Sequence, residues 1–317
     1  MNKNNSFSKN CFFARHETFS PRYGWLKKGF DRVAGDNGYE ADSNIFDDDY
    51  AIEKLGVGKN MVRSIRFWCM AFKIILPQEK SAILRIGGPM RPTDFSRDLL
   101  SEHGWDPYLE DPASLWLLHW KLFTEPLIAT AWSLAVNLTS LGTFTLNDLT
   151  LALTDLRDSD SGYKRYSESS FKKDASCFIR MYGSAGKETG EQIESPFTEL
   201  ELLIPGDRPQ SFRFNLDDKP TLPDSIFLAA CFEYAKQYSE QSSAISLNRL
   251  AYGINSPGAV FKLSESTIGN RLERAIPKIK GVLFTESFGN RQLQFENAPD
   301  ALAITILKEY YNSTLLL

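Results

Sequence analysis

The chain has 317 residues, 42% of them hydrophobic, and a formal net charge of -4. This composition is that of a globular protein rather than a disordered one, and the length suffices for two or three units that each bury a core. The acidic balance excludes a uniformly basic nucleic-acid coat, so any DNA binding must depend on local positive patches.

The cysteines and the apolar segments indicate a cytoplasmic protein. The four cysteines are far apart, and no pair has the spacing of zinc ligands. We expect buried free thiols in a reducing compartment. The start is polar, without a secretory signal pattern. Charged residues and a proline interrupt the most apolar run, residues 115–141, which favours core helices over a membrane span.

Residues 13–30 are rich in side chains that can serve catalysis. His16 and Glu17 suit acid–base or metal chemistry. Four cations in this segment can bind phosphates: Arg15, Arg22, Lys27 and Lys28. The alternative is a well-packed aromatic helix whose charged outer face meets only solvent.

Three aspartates at residues 47–49 precede the next predicted helix. They can cap that helix and complement its dipole. Alternatively, Asp48 and its neighbours can hold a divalent cation.

A helix-turn-helix pattern covers residues 55–68. Leu55 ends a first helix, Gly56 takes the left-handed turn conformation, and Val57 fills the gap between the helices. The second helix is predicted to run to about Leu76, where Pro77 stops it. Its inward positions are Met61, Val62, Ile65 and Trp68. Its outward positions suit phosphates and base edges: Lys59, Asn60, Arg63 and Arg66.

The outward face lacks acidic residues, which favours DNA contact over an ordinary helical hairpin with a solvated basic face. Gly58 and Lys59 also suggest a phosphate-binding loop. That interpretation fails because the full spacing is missing and Asn60 stands where serine or threonine belongs.

The order helix, helix, hairpin occurs twice more, as in winged helices. In the middle region the helices cover residues 145–156 and 167–182, and two strands surround residues 205–207. Near the C-terminus the helices cover residues 246–252 and 267–275, and a hairpin turns at residues 288–290. The second of these helices, at residues 267–275, carries three polar side chains that can contact DNA: Asn270, Arg271 and Arg274. Winged helices also bind proteins, so this alternative stays open.

These elements predict a mainly α fold with small β-hairpins, an α+β protein with several helix-turn-helix or winged-helix units. We expect a helix-turn-helix region with a candidate active site over residues 1–90. A helical core with the middle unit covers residues 91–240, and a winged-helix unit covers residues 241–317. His119 lies among aromatic residues, where a packed, hydrogen-bonded histidine is favoured over a catalytic one.

The chain resembles the family called domain of unknown function 4007, found in bacteria and archaea. The matching stretches are FARHETF at 13–19, RYGWLKKG at 22–29, LGVGKNMVRSIR at 55–66 and the weaker SPGAVFKL at 256–263. The resemblance runs from about residue 13 to about residue 311.

The resemblance implies a role in DNA phosphorothioation, in which sulfur replaces a non-bridging phosphate oxygen. The implied partners are double-stranded DNA, a sulfurtransferase of the phosphoadenosine-phosphosulfate reductase type and a cysteine desulfurase. In the single-stranded version of this anti-phage defence (Ssp), the component that the chain resembles is a DNA nickase.

Together these features favour a metal-dependent nicking endonuclease. Glu17 with Asp48 would hold Mg²⁺ or Mn²⁺, and His16 would be the general base. Neighbouring residues point to different sides, so Glu17 is favoured if only one of the pair serves. Three cations would stabilise developing charge: Arg15, Arg22 and Lys28.

Two other functions stay open. The chain can be a non-catalytic adaptor that reads DNA and recruits the sulfurtransferase, which the repeated helix-turn-helix order favours. It can also regulate transcription of its operon. A homodimer is compatible with each function.

Overall fold

The computed structural model describes residues 11–79, 81, 83, 87–138, 142–159, 163–183, 195–238, 243–287 and 289–314. Within these ranges helices dominate and the strands form three small sheets, so the α+β prediction is confirmed. The chain divides into two compact units. The first contains Met1–Glu110 and Lys121–Arg213, and the second contains Asp111–Trp120 and Phe214–Leu317.

The elements follow one another in this order: α1 (Trp25–Ala34), α2 (Ala51–Leu55), α3 (Lys59–Ala71), β1 (Ile75–Pro77), β2 (Met90–Pro92), α4 (Asp94–Leu100), α5 (Pro112–Lys121), α6 (Thr130–Asn137), α7 (Leu146–Ser159), α8 (Glu168–Tyr182), β3 (Leu203–Pro205), β4 (Phe212–Phe214), α9 (Asp224–Tyr238), β5 (Ala244–Ser246), α10 (Leu247–Tyr252), α11 (Pro257–Phe261), α12 (Glu265–Ala275), β6 (Val282–Ser287), β7 (Asn290–Phe295) and α13 (Pro299–Thr314). Short 3-10 turns cover Pro196–Leu200 and Ile276–Lys278.

Helices α2 and α3 form the predicted helix-turn-helix. Gly56 ends α2 with φ 62°, in the left-handed region that favours glycine. Helix α3 then begins after the extended Gly58 and buries its apolar face, including Val62, Ile65 and Trp68. Gly29 of α1 lets α3 approach closely, because a Cβ there would lie 2.5 Å from the Cys69 sulfur.

The end of α3 differs from the prediction. The helix stops at Ala71, and Lys73 takes a left-handed conformation with φ 61°. Residues Ile75–Pro77 form β1, which pairs antiparallel with β2, so Pro77 ends a strand and not a helix. The prediction to Leu76 was wrong because a short apolar run has no periodicity that separates strand from helix.

The core of the first unit is an aromatic cluster contributed by α3, α6 and α8. The rings of Trp68 and Trp132 lie 5.3 Å apart, and Phe178 lies 6.0 Å from Trp132. Helices α7 and α8 are followed by the β3–β4 pair, the order predicted for the middle region. The inner face of α8 is buried in this core. The core therefore supports α8 and the segments that pack on it.

In the second unit, β5, α10, α11, α12 and the β6–β7 hairpin follow α9. The strands form a three-stranded antiparallel sheet in the order β5-β7-β6. This is the predicted order near the C-terminus, with β5 as an additional strand. His119 of α5 is buried, with Nε2 3.0 Å from the Val260 carbonyl oxygen. Burial lowers the pKa of His119 to about 4, in keeping with the packed histidine expected.

The unit boundaries differ from the three predicted regions, which met at residues 90/91 and 240/241. Most of helix α5 belongs to the second unit, although the chain up to Glu110 and from Lys121 to Arg213 belongs to the first. There Ser114 hydrogen-bonds to Tyr311 at 2.9 Å, and the Trp120 indole donates to Glu233 at 2.8 Å. Hydrogen-bond partners that lie more than 100 residues apart cannot be inferred from a local sequence pattern. Among the described residues, none of the helices combines the length and the hydrophobicity that a membrane span requires.

Candidate active site

A cleft of about 590 Å³ opens in the first unit. Its walls come from the segment before α1, the segment leading into α2, and the first half of α3. Among the described residues, four cations line it: Arg15, Lys59, Arg63 and Arg66. Four carboxylates do so as well: Glu17, Asp47, Asp48 and Asp49. The cleft therefore brings together eight charged residues that the sequence analysis named.

Arg15 and Glu17 lie on a tight turn over residues 14–18, which we call the cleft turn. Ala14, Glu17 and Thr18 have φ values of 55°, 48° and 67°. The left-handed region costs a non-glycine residue about 1–2 kcal/mol, and such strain concentrates at functional sites. The three strained residues fall within five positions, which makes the turn a candidate functional segment.

Side chains alternate along the cleft turn. Arg15 is exposed, and Glu17 faces the cleft with its side chain 34% exposed. A Glu17 carboxylate oxygen lies 3.6 Å from the Arg63 guanidinium of α3. The acid and the cation that the sequence assigned to different roles are thus neighbours.

His16 points the opposite way and is buried. Its Nε2 lies 2.7 Å from the Asp174 carboxylate of α8, and its ring stacks on Trp68. Burial by itself lowers the pKa of His16, but Cys177 and Asp174 outweigh it and raise the pKa to about 10. The structure thus places His16 behind the cleft turn, outside the lining of the cleft.

Helix α3 presents the predicted polar face. Lys59, Asn60 and Arg63 are exposed on its first two turns, and Asn60 lies outside the cleft lining. Arg66 is half-buried; its Nη2 is 3.5 Å from the Gly87 carbonyl, and its Nε has no partner among the described residues. Burial lowers the pKa of Arg66, and the carboxylate of Asp47 opposes that effect.

Two cleft aspartates shape the loops around them. Asp47 accepts the Gly88 backbone N–H at 2.6 Å. Asp48 accepts the Tyr50 N–H at 2.6 Å and lies 2.5 Å from the Lys54 ammonium. Lys54 holds the pKa of Asp48 below its usual range, so this carboxylate is ionised at neutral pH.

Carboxylates are the ligands that magnesium prefers, and proteins commonly hold it through one or two of them with water and substrate phosphates. Glu17 and Asp48 line the same cleft and supply this donor chemistry. No group of three or more histidine, cysteine, aspartate or glutamate side chains suited to a metal occurs within the described ranges. Two carboxylates completed by water and substrate phosphates are the donors of an open site and not of a closed protein cage.

Three predicted residues of the N-terminal segment lie away from the cleft. The Arg22 guanidinium stacks over two aromatic rings at 5.3 and 5.4 Å. Lys27 is buried and donates to Asp31 at 2.6 Å. Lys28 donates to the Leu55 carbonyl at the end of α2, at 2.9 Å. Lys27 thus stabilises α1, and Lys28 links α1 to the end of α2.

The residues predicted on α12 belong to the second unit. Asn270 is exposed, but Arg271 is buried and donates to two backbone carbonyls at 2.9 and 3.0 Å. Arg271 also contacts Asp218 and Asp224. Arg274 pairs with Asp224 through two hydrogen bonds. Arg271 therefore anchors α12 instead of facing solvent, contrary to the prediction that it contacts DNA.

Asp174, which contacts His16 behind the cleft turn, was not singled out from the sequence. It lies on the inward face of α8 with Phe171 and Phe178. A carboxylate on an apolar helical face needs a partner, and that signal could have pointed to a buried histidine such as His16.

Comparisons with known proteins identify the family of the chain. The family described as "Protein of unknown function (DUF4007)" matches residues 13–311, which include the whole cleft turn and α3. The chain belongs to the DUF4007 family. This DUF4007 protein matches no curated protein.

Two solved structures share its fold over nearly the whole chain. One is a crystal structure of SspB, 35% identical, with a TM-score of 0.85. The other is a magnesium ion-bound crystal structure of SspB, also 35% identical, with a TM-score of 0.86. Each match covers 96% of this chain and 89% of the other. The predicted resemblance to the Ssp phosphorothioation system is thereby confirmed.

Proposed function

We propose that this DUF4007 protein nicks one strand of double-stranded DNA, so that the phosphorothioation system can install sulfur in anti-phage defence. The observation that carries the proposal is the cleft of the first unit, where Glu17 lies beside Arg63 at the base of an exposed helix-turn-helix. Cutting a phosphodiester requires an activated water, stabilisation of the charged phosphorane and help for the leaving oxygen. The cleft has carboxylates for the first requirement and cations for the second.

Glu17 is the residue we assign to water activation, because its carboxylate faces the cleft and the neighbouring His16 is buried. Arg15 and Arg63 flank Glu17 and suit the scissile phosphate. Arg66 lies deeper in the cleft lining, and its Nε is buried without a partner among the described residues. Glu17 and Asp48 are the residues proposed for Mg²⁺ or Mn²⁺, which supplies Lewis acidity when bound.

Helix α3 is assigned to the duplex. Lys59 and Arg63 are exposed cations for phosphates, and Asn60 beside them can meet a base edge. This assignment keeps DNA binding and cutting on adjacent faces of one unit. A sulfurtransferase and a cysteine desulfurase are the proposed partners that act on the nicked product.

Incubation of the pure protein with supercoiled plasmid tests the proposal. We expect an open-circle product with Mg²⁺ or Mn²⁺, abolished by a chelator. The exposed helix-turn-helix also favours a second function, an adaptor that binds DNA without cutting it. A mobility shift with no open-circle product would establish that alternative, and a footprint confined to a palindromic promoter would instead indicate a transcriptional regulator.

A further inference from the structure

The cleft turn is held from behind by one helix, α8. The Ala14 backbone N–H lies 3.1 and 3.0 Å from the two carboxylate oxygens of Asp174. The same carboxylate contacts His16 Nε2 at 2.7 Å. A single buried side chain thus fixes both inward residues of the turn.

The far end of the turn is held by the same helix. Arg180, six positions after Asp174, donates from Nη2 to the Thr18 carbonyl at 2.5 Å. Its other terminal nitrogen donates to Ser176 at 2.5 Å, which fixes the guanidinium on α8. Arg15 and Glu17 lie between the two attachment points and face the cleft.

The energetics explain why such attachment is needed. The left-handed conformation is strained at each of the three non-glycine positions, so the turn persists only if its surroundings over-determine it. Burial of the Asp174 carboxylate is itself unfavourable unless hydrogen bonds compensate for lost water. Its bonds to Ala14 and His16 meet that requirement and stabilise the turn at the same time.

We infer that Asp174 and Arg180 are positioning residues for nicking: they hold the cleft turn so that Glu17 and Arg15 reach the scissile phosphate. This inference rests on the proposed function. Neither residue lines the cleft, so both act through the turn. A misplacement of about 1 Å can cost on the order of 100-fold in rate.

The decisive variant is Arg180→Ala, because Arg180 is exposed and its loss leaves the core intact. Lys173→Ala is the matched control: it removes one positive charge from an exposed position on the same helix. We expect Arg180→Ala to lower kcat for plasmid nicking by about 10- to 100-fold, with KM changed less than about twofold. Lys173→Ala should retain the wild-type kcat, and Arg180→Lys, which keeps a donor for the Thr18 carbonyl, should recover part of the rate.

Hydrogen exchange of the backbone over residues 12–19 gives a readout that needs no activity. It should accelerate in Arg180→Ala and stay at the wild-type rate in Lys173→Ala. Unchanged exchange with unchanged kcat in Arg180→Ala would overturn the positioning role, as would an equal loss in Lys173→Ala.

Asp174→Asn extends the test to the buried contact, and Arg180→Ala decides the matter if the former does not fold. Glu17→Gln, assayed in parallel, separates the two proposals. Normal nicking by Glu17→Gln would refute the proposed catalytic role. Loss of nicking in Glu17→Gln with full activity in Arg180→Ala would refute only the positioning inference.

Discussion

His16 shows how one side chain serves a site without entering it. Its ring is buried against Trp68 and bound to Asp174, while its neighbours Arg15 and Glu17 face the cleft. Because adjacent side chains point in opposite directions, His16 supports the turn from the interior while Arg15 and Glu17 face the cleft. Sequence reasoning identified this segment and favoured Glu17 over His16.

The charge of His16 predicts a specific pH dependence of stability. Its pKa is raised from 6.5 to about 10, since Cys177 and Asp174 outweigh the lowering effect of burial. The contribution of the pair is then complete below pH 6.5 and is lost as the pH rises through about 10. The difference in free energy of unfolding between wild type and His16→Asn, measured by urea denaturation, should shrink over that range.

His119→Asn is the control for the opposite sign. Burial lowers the pKa of His119 from 6.5 to about 4, so its contribution is present above pH 6.5 and lost as the pH falls through about 4. A His16→Asn difference that stays constant between pH 6.5 and 10 would show that the buried pair carries no extra proton.

At the scale of elements, α3 and α12 differ in what their cations do. The first turns of α3 expose Lys59 and Arg63, whereas the middle of α12 buries Arg271. Both helices have the same predicted position in a helix-turn-helix. The hydrogen-bond partners distinguish the buried Arg271 from an exposed cation such as Lys59. Those partners are remote from Arg271 in sequence.

For α3 we expect Lys59→Ala and Arg63→Ala to weaken binding to duplex DNA. Each lost phosphate contact should make the slope of log affinity against log salt shallower by about 1. Fluorescence anisotropy across a salt series measures this slope. Arg97→Ala removes an exposed cation of the same unit outside the cleft and should leave the slope unchanged. Equal slopes for all three variants would remove α3 from the DNA interface.

For α12 we expect stability and not DNA affinity to respond. Arg271→Ala leaves the Leu222 and Lys219 carbonyls without this donor, and should lower the free energy of unfolding by about 1–3 kcal/mol. Arg274→Ala should cost at most about 1 kcal/mol, because that pair is exposed to solvent. Chemical denaturation of both variants measures the contrast, and similar losses would contradict the anchoring role of Arg271.

At the scale of the whole molecule, local signals predicted more than remote ones. Gly56, the inward face of α3 and the β6–β7 hairpin follow from spacing and turn chemistry within a few residues. The end of α3 and the transfer of α5 to the second unit depend on pairings with distant residues. No periodicity within one segment contains that information.

The residues of the candidate site could be predicted from the sequence, but their arrangement in space could not. Arg15, Glu17, Asp48 and the cations of α3 were named from their types and spacing, and they share one cleft. Lys27 was named with them and lies inside the fold, because its acceptor on Leu100 is 73 residues away. Asp174, which holds the turn, is 158 residues from His16.

The rate of plasmid nicking by Glu17→Gln, with Glu40→Gln as an exposed control outside the cleft, tests the central claim most directly. The substitution removes the carboxylate charge and keeps the shape of the side chain. We predict a loss of about 10²- to 10⁴-fold for Glu17→Gln with DNA affinity and the free energy of unfolding preserved, and a wild-type rate for Glu40→Gln. A folded Glu17→Gln protein that nicks supercoiled plasmid at the wild-type rate would contradict the account.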